Sequence, residues 1–196
     1  MICCLDLEGV LVPEIWIAVS ERTKIPELRL TTRDIPDYDV LMKRRLGILK
    51  EHGIKLRDIQ GVIASIRPLG GARAFLDRLR SKRQVIILSD TYYEFAMPLM
   101  KQLGYPALFC NELEVDRKGY IANYLLRQRS GKEKAVLALK KMGFKVFAAG
   151  DSYNDIAMLK AAHQGILFNP PPNIRKEHPE FQVAGNYEKL LRAFGI

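Results

Sequence analysis

Acidic residues follow the first predicted strand at a spacing that could support chemistry. The apolar run from Ile2 to Leu5 is typical of a buried strand, and Asp6 and Glu8 follow it directly. Side chains alternate between the two faces of a strand, so these acids share one side if the strand extends that far. Such a pair is compatible with a nucleophile beside a proton carrier, with two metal ligands, or with a solvated strand end.

Two later predicted strands also end in polar residues. The run Val85 to Leu88 ends at Ser89-Asp90-Thr91, and the run Val146 to Ala149 is followed by Gly150-Asp151 and then by Asn154 and Asp155. The carboxyl ends of parallel strands meet at one edge of an open sheet, where chemistry collects. We therefore expect these polar side chains to lie close together.

A cation is expected at this edge, because Asp6, Glu8, Asp151 and Asp155 in one pocket would repel one another and resist ionisation. Carboxylate oxygens suit Mg²⁺, which usually keeps several waters and bridges to a phosphate. Ser89 and the free N–H groups of the helix after it offer donors to an oxyanion. A lysine near the start of a later helix, Lys132 or Lys134, is expected to add positive charge.

The elements that position these residues fall into two groups. Residues 69–196 alternate between helix and strand, which predicts parallel βαβ units, with a hairpin turning at Asp116–Gly119. Residues 13–68 instead predict three helices, over 14–24, 39–51 and 56–66, with a polar loop over 31–38. We predict an α/β core domain of residues 1–12 and 69–196, with residues 13–68 inserted as a helical cap domain.

Composition narrows the class of protein. A chain of 196 residues with 48% hydrophobic residues is long enough for a real core, and it has no apolar run long enough to span a membrane. The N-terminus does not resemble a signal peptide, and three cysteines do not make a disulfide framework, so we expect a cytoplasmic protein. The net charge of +9 keeps a nucleic-acid-binding module open as an alternative, but the basic residues are scattered and solvated helix faces explain them better.

The motifs, taken together and in order, resemble those of the haloacid dehalogenase superfamily. They are Asp-x-(acid)-Gly-Val at residues 6–10, the serine at the end of the second strand, the lysine leading a helix, and Gly-Asp-Ser-x-x-Asp at residues 150–155. The helical insert after the first motif is similar to the cap of the phosphoserine phosphatase branch. The runs at residues 6–14 and 149–155 are most similar to bacterial bifunctional phosphoserine phosphatase/homoserine phosphotransferase proteins. This resemblance implies a Rossmannoid parallel sheet with helices on both faces.

The same resemblance implies a role for each site residue. Asp6 would be the nucleophile and Glu8 the general acid and base. Mg²⁺ would be bound by Asp6, by the Glu8 backbone carbonyl and by Asp151. The other implied roles are support of the metal by Asn154 and Asp155, binding of phosphate by Ser89, Asp90 and Lys132, and recognition of the substrate's amino and carboxylate groups by Glu14 and Arg45.

Two departures from the family pattern stand out. Glu8 replaces the usual aspartate, and Asp90-Thr91 replaces the glycines that usually follow the serine. The implied activity is Mg²⁺-dependent hydrolysis of O-phosphoserine, with homoserine as a further phosphoryl acceptor. A phosphatase or phosphotransferase for another small phosphorylated metabolite stays open, as does assembly into a homodimer. We expect no nucleic-acid or membrane partner.

Overall fold

A mostly parallel sheet lies at the centre of the molecule. In this computed structural model, which describes residues 1–31, 34–35 and 37–196, the strands are β1 (Ile2–Leu5), β2 (Gln84–Tyr92), β3 (Ala107–Val115), β4 (Ile121–Leu125), β5 (Val146–Gly150), β6 (Gln164–Phe168) and β7 (Gln182–Ala184). They pair in the order β4-β3-β2-β1-β5-β6-β7. Only the β3–β4 pair among these is antiparallel, and it forms the predicted hairpin.

Helices connect the parallel strands and also fill the predicted insert. They are α1 (Ile15–Thr23), α2 (Tyr38–Glu51), α3 (Leu56–Ser65), α4 (Ala72–Arg80), α5 (Tyr93–Leu103), α6 (Gly131–Lys141), α7 (Ile156–Ala161), α8 (Pro172–Glu177) and α9 (Tyr187–Ala193). None of the helices within the described residues combines the length and apolar composition that a bilayer-spanning segment requires. The alternation of helix and strand confirms the predicted α/β fold class.

The strand alternation of β1 explains why helices cover both faces of the sheet. Cys3 and Leu5 belong to a large buried cluster that also contains residues of α1 to α5 and of α9. Ile2 and Cys4 point to the opposite face and belong to a second cluster, formed with residues of α6, α7 and α8. A strand that is apolar on both faces must be covered on both, so β1 lies in the middle of the sheet.

The helices α1, α2 and α3 lie in the chain between β1 and α4, as predicted. Helix α1 packs on α3, α3 packs on α5, and α2 packs on β4. Their buried side chains, such as Val19, Met42 and Ile63, join the larger of the two clusters. The division into separate core and cap domains stays a prediction. Of the predicted polar loop over 31–38, Thr32, Arg33 and Pro36 lie outside the described residues.

The structure differs from the sequence prediction at several element ends. Strand β2 ends at Tyr92, one residue beyond its predicted end in Ser89-Asp90-Thr91. The residues after β5 form a 3₁₀ turn, Tyr153–Asp155, which is followed by α7. Pro172 begins α8, where its fixed φ suits the first helical turn.

Candidate active site

The pairing of β1 with β5 brings two of the predicted acids together. The Asp6 N–H donates to the Ala149 carbonyl oxygen at 2.9 Å, so the pairing with β5 continues one residue beyond β1. Asp151 follows β5 directly. Carboxylate oxygens of Asp6, Asp151 and Asp155 all lie within 4.8 Å of one another. The predicted convergence of acids at the carboxyl edge of the sheet is therefore present.

Lys132 lies among these carboxylates, in the first turn of α6. Its Nζ is 2.8 Å from Asp6 Oδ1 and 2.8 Å from Asp155 Oδ1, with Asp90 Oδ2 at 3.6 Å. Burial alone would lower the pKa of Lys132, but the carboxylates of Asp155, Asp6 and Asp90 outweigh it and raise the pKa well above its usual value. Lys134 is exposed on the same helix, so Lys132 is the lysine that reaches this cluster.

The carboxylates carry more negative charge than Lys132 balances. Burial, followed by repulsion from Asp155, raises the pKa of Asp6 well above its usual value. The same two causes raise the pKa of Asp151 to about 7. Asp155 is fully buried, and its Oδ2 accepts hydrogen bonds from the N–H groups of Asp151 and Ser152 at 3.0 and 3.2 Å. Oxygen donors with excess negative charge could hold a small divalent cation.

The loop after β1 passes directly against Asp151 because residue 9 is glycine. Gly9 has φ +76°, in the left-handed region that favours glycine, and a Cβ there would lie 2.4 Å from the Asp151 carboxyl carbon. The loop closes on itself through a hydrogen bond of 2.8 Å from the Leu11 N–H to the Leu7 oxygen. Any side chain at position 9 would displace the Asp151 carboxylate.

Glu8 points toward the start of α1 rather than into the group of three aspartates. Its Oε2 accepts a hydrogen bond of 2.7 Å from the N–H of Ile15, the first residue of that helix. Burial and the neighbouring Glu14 carboxylate raise the pKa of Glu8 to about 8, although the Ile15 N–H acts in the opposite direction. Glu14 itself is exposed, just before the helix begins. At neutral pH the Glu8 carboxyl group is therefore largely protonated and able to donate its proton.

The end of β2 contributes the predicted serine and aspartate. Ser89 is buried, and its Oγ accepts a hydrogen bond of 3.2 Å from the Thr91 N–H. The Asp90 carboxylate accepts a hydrogen bond from Asn154 Nδ2 at 3.0 Å, which joins the second and fourth motifs. Asn111 on β3 donates to the Asp90 carbonyl oxygen at 3.0 Å. The sequence analysis missed Asn111, because an asparagine in the middle of a strand carries no motif.

Arg45 lies on α2 and is almost completely buried. Its guanidinium lies over the Trp16 ring, 4.4 Å from the centroid, and its Nη2 donates to the Leu30 oxygen at 2.7 Å. Burial lowers the pKa of Arg45 to about 10. Its Nε is buried without a hydrogen-bond partner, and no carboxylate of the described residues lies within ion-pair distance. A buried guanidinium with a free donor is suited to receive an anion.

A cavity of about 770 Å³ opens beside the carboxylate cluster. Its lining includes Asp90, Lys132 and Asn154 from the strand-end motifs. Tyr38 of α2 and Tyr124 of β4 line it as well, so the insert and the hairpin both border the cavity. Of α2, Tyr38 and Asp39 line this space, whereas Arg45 is not among its lining residues.

A class of enzyme combines these features: acids at the ends of β1 and β5, a buried lysine between them, and a helical insert after β1. The chain belongs to the haloacid dehalogenase-like hydrolases, whose family model matches residues 1–163. Phosphoserine phosphatase ThrH of Pseudomonas aeruginosa is 58% identical over 193 residues, which cover 98% of this chain and 94% of that protein. A phosphoserine phosphatase of Pseudomonas syringae pv. tomato is 56% identical, covering 98% of this chain and 81% of that one.

Solved structures share the fold at much lower identity. An apo phosphoserine phosphatase matches with a TM-score of 0.79 and 21% identity, covering 97% of each chain. A phospho-aspartyl intermediate analogue of a phosphoserine phosphatase matches with a TM-score of 0.79 and 17% identity, again covering 97% of each chain. These matches confirm the predicted fold, including the helical insert.

Proposed function

We propose that this hydrolase is a Mg²⁺-dependent phosphatase for O-phosphoserine that works through an aspartyl phosphate on Asp6. The observation that carries the proposal is the buried Asp6 carboxylate at the end of β1, held by Lys132 at 2.8 Å beside Asp151 and Asp155. The near full-length identity to proteins named phosphoserine phosphatase supports the choice of substrate.

The residues present fit a magnesium ion. Two of the clustered carboxyl groups, Asp6 and Asp151, have raised pKa values, so these groups gain from a cation that balances their charge. In our proposal Asp6, Asp151 and the Glu8 backbone carbonyl would bind the ion, and Asn154 and Asp155 would support these ligands. Mg²⁺, when bound, would neutralise phosphoryl oxygens during transfer.

Asp6 performs the first displacement in this proposal. One carboxylate oxygen attacks phosphorus while the bond to the serine oxygen breaks, which divides one hard displacement into two easier ones. Lys132 and Ser89 bind phosphoryl oxygens, where charge stabilisation matters most. The departing serine oxygen takes a proton from Glu8, whose raised pKa of about 8 keeps the carboxyl group protonated at neutral pH. The products of this step are serine, the aspartyl phosphate and a Glu8 carboxylate.

Glu8 reverses its role in the second step. The Glu8 carboxylate takes a proton from an incoming water, whose oxygen attacks phosphorus and releases Asp6 and inorganic phosphate. The hydrogen bond of 2.7 Å from the Ile15 N–H supports this carboxylate and fixes its direction. The Glu8 side chain returns to the protonated form, and the cycle is complete.

Arg45 and Glu14 recognise the amino-acid part of the substrate in this proposal. The Arg45 guanidinium has no carboxylate within ion-pair distance among the described residues, and it would bind the substrate carboxylate. Glu14 is exposed beside Glu8, just before α1 begins, where its carboxylate would bind the substrate ammonium group. Asp90 pairs with Asn154 and approaches Lys132, so it orients the residues around the phosphate.

Homoserine is proposed as a second phosphoryl acceptor. It is one methylene longer than serine, so Arg45 and Glu14 can bind its carboxylate and amino groups in the same way. The cavity of about 770 Å³ leaves room for a longer acceptor beside the phosphorylated Asp6. A bound hydroxyl competes with water through its orientation. Phosphorus NMR of phosphoserine hydrolysis across a homoserine titration should show phosphohomoserine beside inorganic phosphate, and inorganic phosphate alone at every concentration would contradict the transferase activity.

Phosphate release from a panel of small phosphomonoesters tests the main proposal. We expect O-phosphoserine to be hydrolysed fastest, and EDTA to abolish turnover until Mg²⁺ is restored. Asp6→Asn should retain the fold but lose turnover, because an amide cannot form the acyl phosphate. Rapid hydrolysis of a different phosphomonoester, with little from phosphoserine, would keep the chemistry but reject the substrate.

A further inference from the structure

A pair of tyrosine hydroxyls joins α2 to the end of β2. The Tyr38 and Tyr92 hydroxyl oxygens are 2.7 Å apart. Tyr92 is 1% exposed at the last position of β2, whereas Tyr38 is the first residue of α2 and lines the cavity beside Lys132. Burial raises the pKa of Tyr38 to about 12 and that of Tyr92 still further, so both hydroxyls keep their protons.

One of the two hydroxyl protons of this pair is not used in the hydrogen bond between Tyr38 and Tyr92. Two phenols have two O–H donors, and the contact between them uses one. Within the described residues, the Tyr92 hydroxyl has no other hydrogen-bond partner, so a proton pointing away from Tyr38 would be buried without an acceptor, at a free-energy cost. Tyr92 therefore donates to Tyr38, and the Tyr38 proton is available to the cavity.

Arg45 presents a second unused donor on the same face of α2. Positions 38, 42 and 45 are spaced i, i+4 and i+7, which places them in one stripe along a helix. Long helical side chains lean toward the N-terminus of their helix, and the Arg45 Nη1 lies 3.6 Å from the Met42 sulfur, one turn closer to Tyr38. The Phe95 ring contacts both Trp16, which lies beneath Arg45, and Tyr92. Both contacts are edge-on, with ring centroids 5.6 Å apart for Trp16 and 5.7 Å apart for Tyr92.

We propose that Tyr38, oriented by Tyr92, donates a hydrogen bond to the same substrate carboxylate that the Arg45 guanidinium binds. A carboxylate has four acceptor lone pairs, which one guanidinium does not use up. Tyr38 is then a specificity-determining residue, and Tyr92 is a positioning residue that acts through it. This inference rests on the proposed function, since it concerns the recognition of phosphoserine.

Two substrates that differ by one carboxylate test the inference. Phosphoethanolamine is phosphoserine without its carboxylate, so the ratio of kcat/KM for the two substrates measures carboxylate recognition alone. Tyr38→Phe should lower kcat/KM for phosphoserine by about tenfold or more, the usual effect of losing a hydrogen bond to a charged group, and should leave phosphoethanolamine within about twofold. Tyr105→Phe removes an exposed hydroxyl and should leave both substrates unchanged.

A variant with both Tyr38→Phe and Tyr92→Phe tests whether Tyr92 acts through Tyr38 or only supports the fold. Tyr92→Phe should lower the ratio by less than Tyr38→Phe does, and Tyr38→Phe with Tyr92→Phe should be no worse than Tyr38→Phe alone. Equal losses on both substrates, no loss, or additive losses in the double variant would overturn the inference while phosphoserine hydrolysis by the wild type stands. A wild type that does not hydrolyse phosphoserine would instead reject the proposed function and this inference with it.

Discussion

Replacement of Lys132 by methionine tests the charge balance at the centre of the site. The substitution keeps a side chain of similar length but removes the ammonium group that contacts Asp6 and Asp155, each at 2.8 Å. At an effective dielectric constant of about 20, each contact corresponds to roughly 6 kcal/mol of gross attraction, and desolvation of the lysine offsets most of it. Removing one partner of such a buried pair costs about 3–5 kcal/mol. We expect a loss of that size in the free energy of unfolding at pH 8 without Mg²⁺.

The loss should depend on pH with a defined sign. Asp6 and Asp151 have raised pKa values in the folded protein, so folding takes up protons between the unfolded value near 3.8 and the folded values, about 7 for Asp151. Stability contributed by these groups is present at low pH and is lost as pH rises through that window. Without Lys132 both pKa values rise further, so the gap between wild type and variant should be smaller at pH 5.5 than at pH 8.

Urea unfolding at both pH values, with and without saturating Mg²⁺, makes the measurement. Mg²⁺ should stabilise the Lys132→Met variant at least as much as the wild type, because the ion replaces charge that the variant lacks. Lys134→Met is the matched control, with the same substitution at an exposed position of α6, and should stay within about 0.5 kcal/mol of wild type. A loss that is equal at both pH values and unaffected by Mg²⁺ would show that Lys132 contributes packing rather than charge.

Two further substitutions test neighbouring parts of the site. Arg45→Ala should lower kcat/KM for phosphoserine by the equivalent of about 2–5 kcal/mol, and it should spare a generic aryl phosphate, which has no carboxylate. Arg44→Ala, at an exposed position, is the control. Equal losses on both substrates would show that Arg45 does not recognise the carboxylate. Gly9→Ala places a Cβ 2.4 Å from the Asp151 carboxyl group and should reduce Mg²⁺ affinity, measured by calorimetry, at least about tenfold. The control is Gly61→Ala, which should not change the affinity because a Cβ there has no heavy atom within 4 Å. Unchanged affinity in Gly9→Ala would show that Asp151 can move aside.

The sheet and the acidic cluster at its edge were predictable because they depend on local patterns. Apolar runs such as Val146 to Ala149, followed at once by Gly-Asp, mark both a buried strand and the polar residue at its end. The order of such runs then defines a parallel sheet with its acids at one edge. The structure brings Asp6, Asp151, Asp155 and Lys132 together as that reasoning requires.

The features that the sequence did not reveal depend on contacts between distant segments. The choice between Lys132 and Lys134 requires the rotation of α6 against the sheet, which two lysines in one helical turn do not specify. Asn111 and the Tyr38–Tyr92 pair acquire their partners only when β3 and α2 pack against β2. Short elements such as β7 are three residues long, too few to show any periodicity.

The pairing of β1 with β2 and β5 also determines when Asp6 and Asp151 can come together. Ile2 pairs with Val146, so the position of Asp6 beside Asp151 depends on two segments that leave the ribosome far apart in time. Contacts across so large a separation form late, because closing a long loop costs entropy before any contact rewards it. During synthesis Asp6 is therefore an ordinary solvated acid with no neighbouring lysine. The acidic cluster is therefore a property of the completed sheet, because Asp6 has no Asp151 beside it until β5 has been added.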